Sequence, residues 1–258
     1  MTRSLLKECA GEFLGTFIMV FIGCTAVALA DIVGILTSLY QVALFWGIGV
    51  CLAIMISKKY CPSHLNPAVT LAMTIAGKCS WKKFMPYSLS QLMGALFAAL
   101  TLYVIFSASL SEFETLHGIV RGDSGSYRSA MMFGEFFPNP AFEHITHVSW
   151  FHAALLEAIG AFVLLVMIFK ITRNKDAMDL KQASLIGLTV AILICFIAPY
   201  TQCGINPARD LGPRLVALLA GWSHDALPNP FHGAISVYVL SPFLGAAFAA
   251  GLQRMFPV

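Results

Sequence analysis

Two short stretches decide the fold of this chain: SHLNPAVT at residues 63–70 and GINPARD at residues 204–210. Each contains the triplet Asn-Pro-Ala within an apolar run, at about 66–77 and 206–219. Asparagine is a good helix N-cap, and proline suits the first helical position because its missing N–H needs no partner there. The pattern therefore predicts two short helices, each of which starts at its triplet. The first triplet is Asn66, Pro67 and Ala68, and the second is Asn206, Pro207 and Ala208.

Six longer apolar stretches flank the triplets, at roughly 9–30, 39–57, 84–106, 150–170, 183–201 and 234–253. Each is near the ~20 residues that a helix needs to cross a bilayer, whereas the runs at the triplets, about 12 residues long, are too short. Hydrophobic residues make up 58% of the chain and charged residues 11%, against roughly a quarter charged in soluble domains. The sequence predicts an all-α membrane protein with six transmembrane helices and two re-entrant half-helices.

The two triplets belong to two copies of one pattern. Glu12-x-x-Gly-x-Phe in the first span returns at Glu157 in the fourth, and the motif SxxxGAxFAA of residues 90–99 returns at 241–250. Each copy holds three spans, an odd number, so the second copy must enter the membrane from the opposite side. The sequence therefore predicts an inverted repeat with its functional site near the membrane midplane.

This repeat also suggests how the chain is divided and oriented. We expect one domain, 1–258, with repeats at about 1–110 and 150–258 joined by an extracellular loop, 107–149. The 16 Lys and Arg divide twelve to four between the two sides of the spans, and the richer side is normally cytoplasmic. The sequence predicts a multi-pass protein of the cell membrane, plasma or inner, with both termini in the cytoplasm.

Composition and spacing speak against several classes of function. The net charge of +3 and the lack of a basic run argue against a nucleic-acid partner. The seven cysteines show no CxxC or Cys/His spacing, so we expect no metal and no cofactor. The polar residues near the triplets include no nucleophile–base pair, so the chain is not expected to be an enzyme.

The residues around both triplets resemble the aquaporin and glycerol-facilitator family, the major intrinsic proteins, and within it the aquaglyceroporins. The matching stretches are 63–70, 204–210 and the loop pattern EFExxHxIVRG at 112–122. The resemblance covers essentially the whole chain and implies one pore per subunit, homotetramers in the lipid bilayer, and passive passage of small neutral solutes. A third triplet, Asn139-Pro140-Ala141, has no repeat partner, so we interpret it as part of the loop.

The resemblance assigns roles to further residues. It implies that Glu12 and Glu157 brace the re-entrant loops by accepting backbone hydrogen bonds, which competes with the interpretation of intramembrane carboxylates as a proton relay. It implies a ladder of backbone carbonyls that belong to Ser63, His64, Leu65, Gln202, Cys203 and Gly204. It also implies a constriction formed by Trp46, Ile194, Cys203 and Arg209, and a charge inside a membrane is a functional candidate on physical grounds as well.

The implied constriction departs from both patterns of the family. Water-selective members place His at the position of Ile194, and glycerol channels place Gly there. Cys203 is typical of water channels and replaces the usual Phe of glycerol channels. Losing a His donor makes the ring more apolar, which favours solutes with a carbon backbone. Asp210 and Arg214 are typical of glycerol channels, and they can form an i, i+4 ion pair that acts through loop geometry.

Three functions are compatible with the sequence. We predict a passive channel for glycerol and related polyols, with water also crossing and with protons and ions opposed by the positive N-termini of the half-helices. The first alternative is a water or small-gas channel, suggested by Cys203 and Ile194. The second is an ion-coupled secondary transporter, which the few intramembrane charges speak against. His144, His147 and His152 suggest a metal or pH site, but we interpret them as a solvated loop.

Overall fold

The computed structural model of this protein describes residues 3–144, 146–173, 178–228 and 232–256. In chain order the helices are α1 (Arg3–Asp31), α2 (Leu39–Ser57), α3 (Pro67–Ile75), α4 (Trp81–Ile105), α5 (Ser107–His117), α6 (Tyr127–Ala130), α7 (Trp150–Ile171), α8 (Leu180–Thr201), α9 (Pro207–Ala217), α10 (His232–Ile235) and α11 (Ser241–Met255). Within the described residues, six helices are long and apolar enough to span a membrane: α1, α2, α4, α7, α8 and the stretch Gly233–Met255 that contains α11. The predicted six spans are therefore confirmed.

Some spanning helices begin earlier than their apolar stretches because polar residues cap them. The third predicted span begins at residue 84, but α4 begins at Trp81, after Ser80 accepts a hydrogen bond from the backbone N–H of Lys82. The fifth begins at residue 183, but α8 begins three residues earlier, after a capping box at Asp179. Caps of this kind satisfy the free N–H groups of the first turn, which the hydrophobic pattern does not mark.

The two predicted half-helices are α3 and α9. Each begins at the proline of its triplet, and both are slightly shorter than the apolar runs in the sequence. The first packs against α4 and α11, and the second packs mainly against α4. Neither is among the helices that can span a membrane, so both enter the helix bundle only partway.

Small residues let the helices of each repeat come into close contact. A Cβ atom at Gly94 of α4 would collide with the backbone carbonyl of Phe13 in α1. A Cβ atom at Gly245 of α11 would collide in the same way with the carbonyl of Ala158 in α7. These two contacts occupy equivalent positions of the inverted repeat, as expected where small residues set helix distances in a membrane.

The segment 107–149, which the sequence predicts to be a loop, contains several helical turns. It begins with α5, which ends at Gly118 in the left-handed region (φ 63), and it also contains α6 and a 3-10 turn at Pro140–Phe142. Residues 129–137 are all buried. The apolar residues of this part form a run too short to indicate a span, so the hydrophobic pattern alone does not predict their burial. The segment is a folded cover over one end of the bundle.

Arg121 fastens this cover to the membrane helices. Its Nε donates a hydrogen bond to Glu114 at 2.8 Å, and its Nη1 donates to the Tyr103 hydroxyl of α4 at 2.8 Å. The guanidinium also lies 4.0 Å from the ring centre of Trp222. Burial lowers the pKa of Arg121, but the hydrogen bonds to Glu114 and Tyr103 outweigh this effect and raise it. The arginine therefore stays charged across the physiological pH range.

Candidate functional site

The two half-helices meet end to end, and their asparagines hold the junction together. The Asn66 Oδ1 atom accepts from the Ala68 N–H at 2.8 Å, and the Asn206 Oδ1 atom accepts from the Ala208 N–H at 3.1 Å. Each side chain also reaches the opposite loop. Asn66 Nδ2 donates to the Ile205 carbonyl at 3.0 Å, and Asn206 Nδ2 donates to the carbonyl of the residue before Asn66 at 2.9 Å. An amide carries two N–H donors, so one donor of each asparagine has no partner among the residues that the structure describes.

The loops that lead into the triplets have an unusual backbone. Five residues that are not glycine have positive φ angles: Ser63 (57°), Leu65 (54°), Gln202 (59°), Cys203 (63°) and Ile205 (38°). Each such residue costs of order 1–3 kcal/mol, so this conformation persists only where surrounding groups impose it. In both loops, residues in the left-handed region are interspersed with residues whose φ angles are negative. Successive peptide groups are therefore not oriented as they are in a helix or a strand.

Two fully buried carboxylates impose this loop conformation. Glu12 of α1 accepts hydrogen bonds from the N–H groups of His64 (2.9 Å) and Leu65 (2.7 Å). Glu157 of α7 accepts from the N–H groups of Gly204 (2.9 Å) and Ile205 (2.6 Å). Further donors complete each set, namely Gln91 for the first carboxylate and Thr201 for the second. The same interaction thus occurs once in each repeat.

Two cavities share a ring of lining residues: we call the one at the junction of the half-helices the inner cavity, and the one beside the folded cover the outer cavity. The inner cavity is lined by both triplet asparagines, by His64 and by Cys203, and the outer cavity by Glu135, Asn139 and Gln202. Only Trp46, Ile194 and Arg209 line both cavities among the described residues. All three are buried. The structure therefore brings three of the four predicted constriction residues to the point where the cavities meet, and the fourth, Cys203, lies on the inner side of it.

Arg209 lies against the aromatic wall of this ring. Its guanidinium carbon is 4.2 Å from the ring centre of Trp46, a distance at which the π face of the indole attracts the cation. The indole of Trp46 fits because a glycine of α1 lies behind it. A Cβ atom at Gly23 would collide with the indole. Gly23 therefore decides how far Trp46 can withdraw from the space between the cavities.

Comparison with known proteins agrees with this architecture. The profile of the family "Major intrinsic protein" matches residues 1–252. The chain belongs to the major intrinsic protein family. It is 33% identical to the propanediol uptake facilitator PduF of Salmonella typhimurium, with 99% of this chain and 96% of that protein covered. It is 34% identical to the glycerol uptake facilitator protein of Haemophilus influenzae, with 98% and 95% covered.

A solved structure also shares this fold. The X-ray structure of the aquaglyceroporin from Plasmodium falciparum superposes with a TM-score of 0.83 at 26% sequence identity, covering 98% of this chain and 97% of that one. Membership of the major intrinsic protein family identifies the chain as a membrane channel and not an enzyme. The meeting point of the half-helices and the ring beside it are therefore the candidate pore of a major intrinsic protein.

Glu135 is a residue of the candidate pore that the sequence motifs do not identify. It lies in the folded cover, is buried, forms an ion pair with Arg209, and lines the outer cavity. The cover thus places a negative charge directly beside the positive charge of the constriction. A sequence signal for it exists, because Glu135 is a single charge between the apolar runs AMMFG at 130–134 and FF at 136–137.

Asp210 and Arg214 determine where Glu135 lies. The Arg214 Nε donates to Asp210 Oδ2 at 3.0 Å within α9, and its Nη2 donates to the backbone carbonyl of Glu135 at 2.6 Å. The Asp210 carboxylate in turn accepts from the Glu135 N–H at 2.9 Å. Arg214 also donates to the carbonyl of Ala226. This pair does not line either cavity, so its effect on the pore passes through the position of the cover.

His64 lines the inner cavity next to the first triplet. Its Nδ1 lies 3.3 Å from the Thr70 hydroxyl oxygen, which itself donates to the Asn66 carbonyl at 3.1 Å. Gln91 Nε2 also donates to that hydroxyl oxygen. Since a hydroxyl has one proton to donate, this network assigns the proton of the neutral imidazole to Nδ1. The Nε2 atom of His64 is then a hydrogen-bond acceptor.

The remaining predicted polar features lie outside the constriction. Asn139, in the third triplet, caps only a 3-10 turn, and its Nδ2 donates to the Ala198 carbonyl of α8 at 2.7 Å. His144, His147 and His152 are all exposed. No group of three or more His, Cys, Asp or Glu suited to a metal ion occurs among the described residues.

Proposed function

We propose that this chain is a passive channel for glycerol and related small polyols, through which water also crosses while protons and other ions are excluded. The observation that carries the proposal is the composition of the ring shared by both cavities. Trp46 and Ile194 offer apolar surface, and Arg209 offers N–H donors. A polyol has a carbon edge and a hydroxyl edge, so a ring with these two kinds of wall matches both edges of the solute.

The donors and acceptors of the inner cavity continue the same pattern. We propose that the backbone carbonyls of residues 63–65 and 202–204 accept hydrogen bonds from hydroxyl groups, and that the free N–H donors of Asn66 and Asn206 bind hydroxyl oxygens. The left-handed residues of the two loops support this role, because they orient carbonyls away from helical geometry. The braces at Glu12 and Glu157 keep these groups in position, so the protein does not have to reorganise as solute passes.

The exclusion of cations follows from two separate positive regions. The N-termini of α3 and α9 point at the junction, and each carries roughly half a positive charge. Arg209 adds a full charge at the ring, which Glu135 partly compensates. In the low-dielectric interior, such dipoles oppose an entering proton or metal ion much more strongly than they would in water.

The names of the relatives support polyols as the solutes, since they include glycerol and propanediol uptake facilitators. Ile194 favours the alternative of a water channel in one respect, because its side chain fills space that a carbon backbone would need. Stopped-flow light scattering on proteoliposomes separates the two. Glycerol re-swelling well above empty liposomes, with a weak temperature dependence, would support the polyol channel. Fast water shrinkage with background glycerol flux would reject it.

We also propose the orientation and assembly of the channel. We propose that the channel lies in the plasma or inner membrane with both termini in the cytoplasm. The excess of Lys and Arg on one side of the spans supports this orientation. Family resemblance supports a homotetramer with one pore per subunit. Cysteine accessibility at the two faces of intact cells would test the orientation, and native mass spectrometry of the purified protein would test the assembly.

A further inference from the structure

A groove lies on the lipid-facing surface of the second repeat. It runs between α7 and α11 and is lined by Phe162, Leu244, Phe248, Gly251, Leu252 and Met255, with a volume of about 440 Å³. That volume lies within the range of cavities that hold small ligands, roughly 300–1,000 Å³. Exposed apolar side chains occur on all six spanning helices, so exposure alone does not single out this place. The concave shape does.

The groove exists because large residues of the first repeat are small in the second. Phe13 of α1 contacts Phe97 of α4 edge-on, with ring centres 5.9 Å apart. The equivalent positions are Ala158 and Phe248, so the second aromatic ring has no aromatic partner in α7 and is 74% exposed, against 46% for Phe97. Further along the same face, Gly251 stands where the first repeat has Leu100. A Cβ atom at Gly251 would meet no atom within 4 Å.

The charges at the end of the groove differ between the repeats in the same way. α7 and α11 run in the same direction, and each carries a basic residue in its last turn, Lys170 and Arg254. The equivalent helices of the first repeat, α1 and α4, have no basic residue in their last turns. Lys170 and Arg254 are both exposed. The groove includes Met255, which is next to Arg254 in the chain, and Lys170 lies in the last turn of the parallel helix α7, on the same side of the membrane.

We propose that this groove binds one acyl chain of an anionic phospholipid, whose phosphate contacts Lys170 and Arg254. A chain in the groove covers the exposed face of Phe248 and fills the space that a leucine fills in the first repeat. Each basic residue near an anionic membrane surface contributes about 1 kcal/mol, or roughly a fivefold change in affinity. Two such residues make the site selective for an anionic headgroup over a zwitterionic one with the same acyl chains.

The test is native mass spectrometry of the purified full chain, titrated with phosphatidylglycerol and with phosphatidylcholine of identical acyl chains. We expect one phosphatidylglycerol to bind at least roughly tenfold more tightly than phosphatidylcholine. Changing Lys170→Gln and Arg254→Gln together should abolish that preference. The control is Lys181→Gln, an exposed basic residue on α8 at the same side of the protein, which should leave the preference unchanged.

Two variants test the groove itself by restoring the residues of the first repeat. Gly251→Leu should remove the tight lipid, and it should not disturb folding because it meets open space and replaces a helical glycine. Ala158→Phe should have the same effect by a different contact. Leu188→Phe adds bulk at an exposed position of α8 and should leave binding intact. These readouts do not depend on which solute the channel passes.

Three results would overturn the proposal. Equal affinity for the two phospholipids, or unchanged binding in both Gly251→Leu and Ala158→Phe, would show that no anionic lipid occupies the groove. Loss of subunit association in Gly251→Leu, with lipid binding unchanged, would show instead that a second copy of this chain covers it. Removal of one tight phosphatidylglycerol by either filling variant, with subunit number unchanged, supports the lipid site.

Discussion

The two ends of the inner cavity are built from equivalent positions, yet they differ in chemistry. At the outer end are Trp46, Ile194, Cys203 and Arg209, and the positions related to them by the offset between the two triplets are Ile186, Ile54, Ser63 and Val69. All eight line the same cavity. One end therefore carries an aromatic ring and a cation where the other carries two aliphatic side chains. The pore framework is duplicated, whereas the aromatic ring and the cation on which the proposed solute selection depends lie at one end only.

If the framework is truly duplicated, its two braces are equally important. We expect Glu12→Leu and Glu157→Leu each to reduce glycerol flux by more than about tenfold, because each leaves several buried donors without an acceptor at roughly 1–3 kcal/mol per donor. Stopped-flow light scattering would measure the flux, and size-exclusion chromatography the folded fraction. Glu143→Leu, at an exposed residue of the cover, is the control. A tolerated change at one brace alone would break the equivalence of the two repeats.

Removing the charges at the outer end of the inner cavity should make that end resemble the opposite end of the same cavity. In the double variant Arg209→Val with Glu135→Leu, we expect larger polyols such as xylitol to gain roughly tenfold in flux relative to glycerol, a change of ~1.4 kcal/mol. Both partners are changed together because a single buried charge left without its partner is strongly destabilising. An unchanged ranking of solutes would show that selection does not depend on this pair.

The single variant Glu135→Leu serves as the comparison for that double variant. It leaves the Arg209 charge without its partner and should lower the free energy of unfolding by roughly 2–4 kcal/mol. Breaking a fully dry buried ion pair would cost more, because water in the pore can partly solvate the arginine. Thermal unfolding in detergent measures the change. Glu143→Leu removes an exposed carboxylate 3.6 Å from Arg128 and should cost less than about 1 kcal/mol.

Thiol chemistry can locate the two ends directly. Cys203 is the only cysteine of the described residues that lines either cavity, so a mercury reagent should block most of the flux and Cys203→Ser should protect. Adding Ser63→Cys to that variant places a thiol at the equivalent inner position and should restore the block. The variant Cys51→Ser, at a residue outside the cavities, should be blocked like the parent. Undiminished block in Cys203→Ser would exclude this thiol as the site of inhibition.

The smallest expected effect compares two isoleucines. Ile194→Gly should raise the flux of polyols with four or more carbons by about threefold or more, because Ile194 narrows the point where the two cavities meet. Ile54→Gly, at the equivalent inner position, should change the flux less because no aromatic ring or cation narrows that end. Equal effects of the two changes would show that the narrowest point is not at the outer ring.

Much of this molecule could be predicted from sequence because its main signals are local. The six spans and the two half-helices follow from apolar length and from the Asn-Pro caps, and the structure confirms the spans. Trp46, Ile194 and Arg209 were assigned to one ring through family resemblance, and they do line both cavities. Helix ends differed by a few residues where Ser80 and Asp179 cap them, since a cap adds no hydrophobic signal.

The cover was harder to predict for physical reasons. Glu135 and Arg209 are 74 residues apart in the chain, and no periodic pattern connects them. Their contact depends on Arg214, which holds the backbone of the cover through the Glu135 carbonyl. A buried arginine and a solvated one look identical in a sequence. The burial of residues 129–137 and the contact of Glu135 with Arg209 are visible only in the structure, and they place this segment against the candidate pore.

The reciprocal hydrogen bonds of the two asparagines have a consequence for how the channel is made. Asn66 needs the carbonyl of Ile205, and Asn206 needs the carbonyl of Leu65. When the ribosome has completed the first half, the partner of Asn66 has not yet been synthesised. The first re-entrant loop therefore cannot reach its final hydrogen bonding until the second half is inserted, and the membrane must hold an unfinished half-channel during that interval.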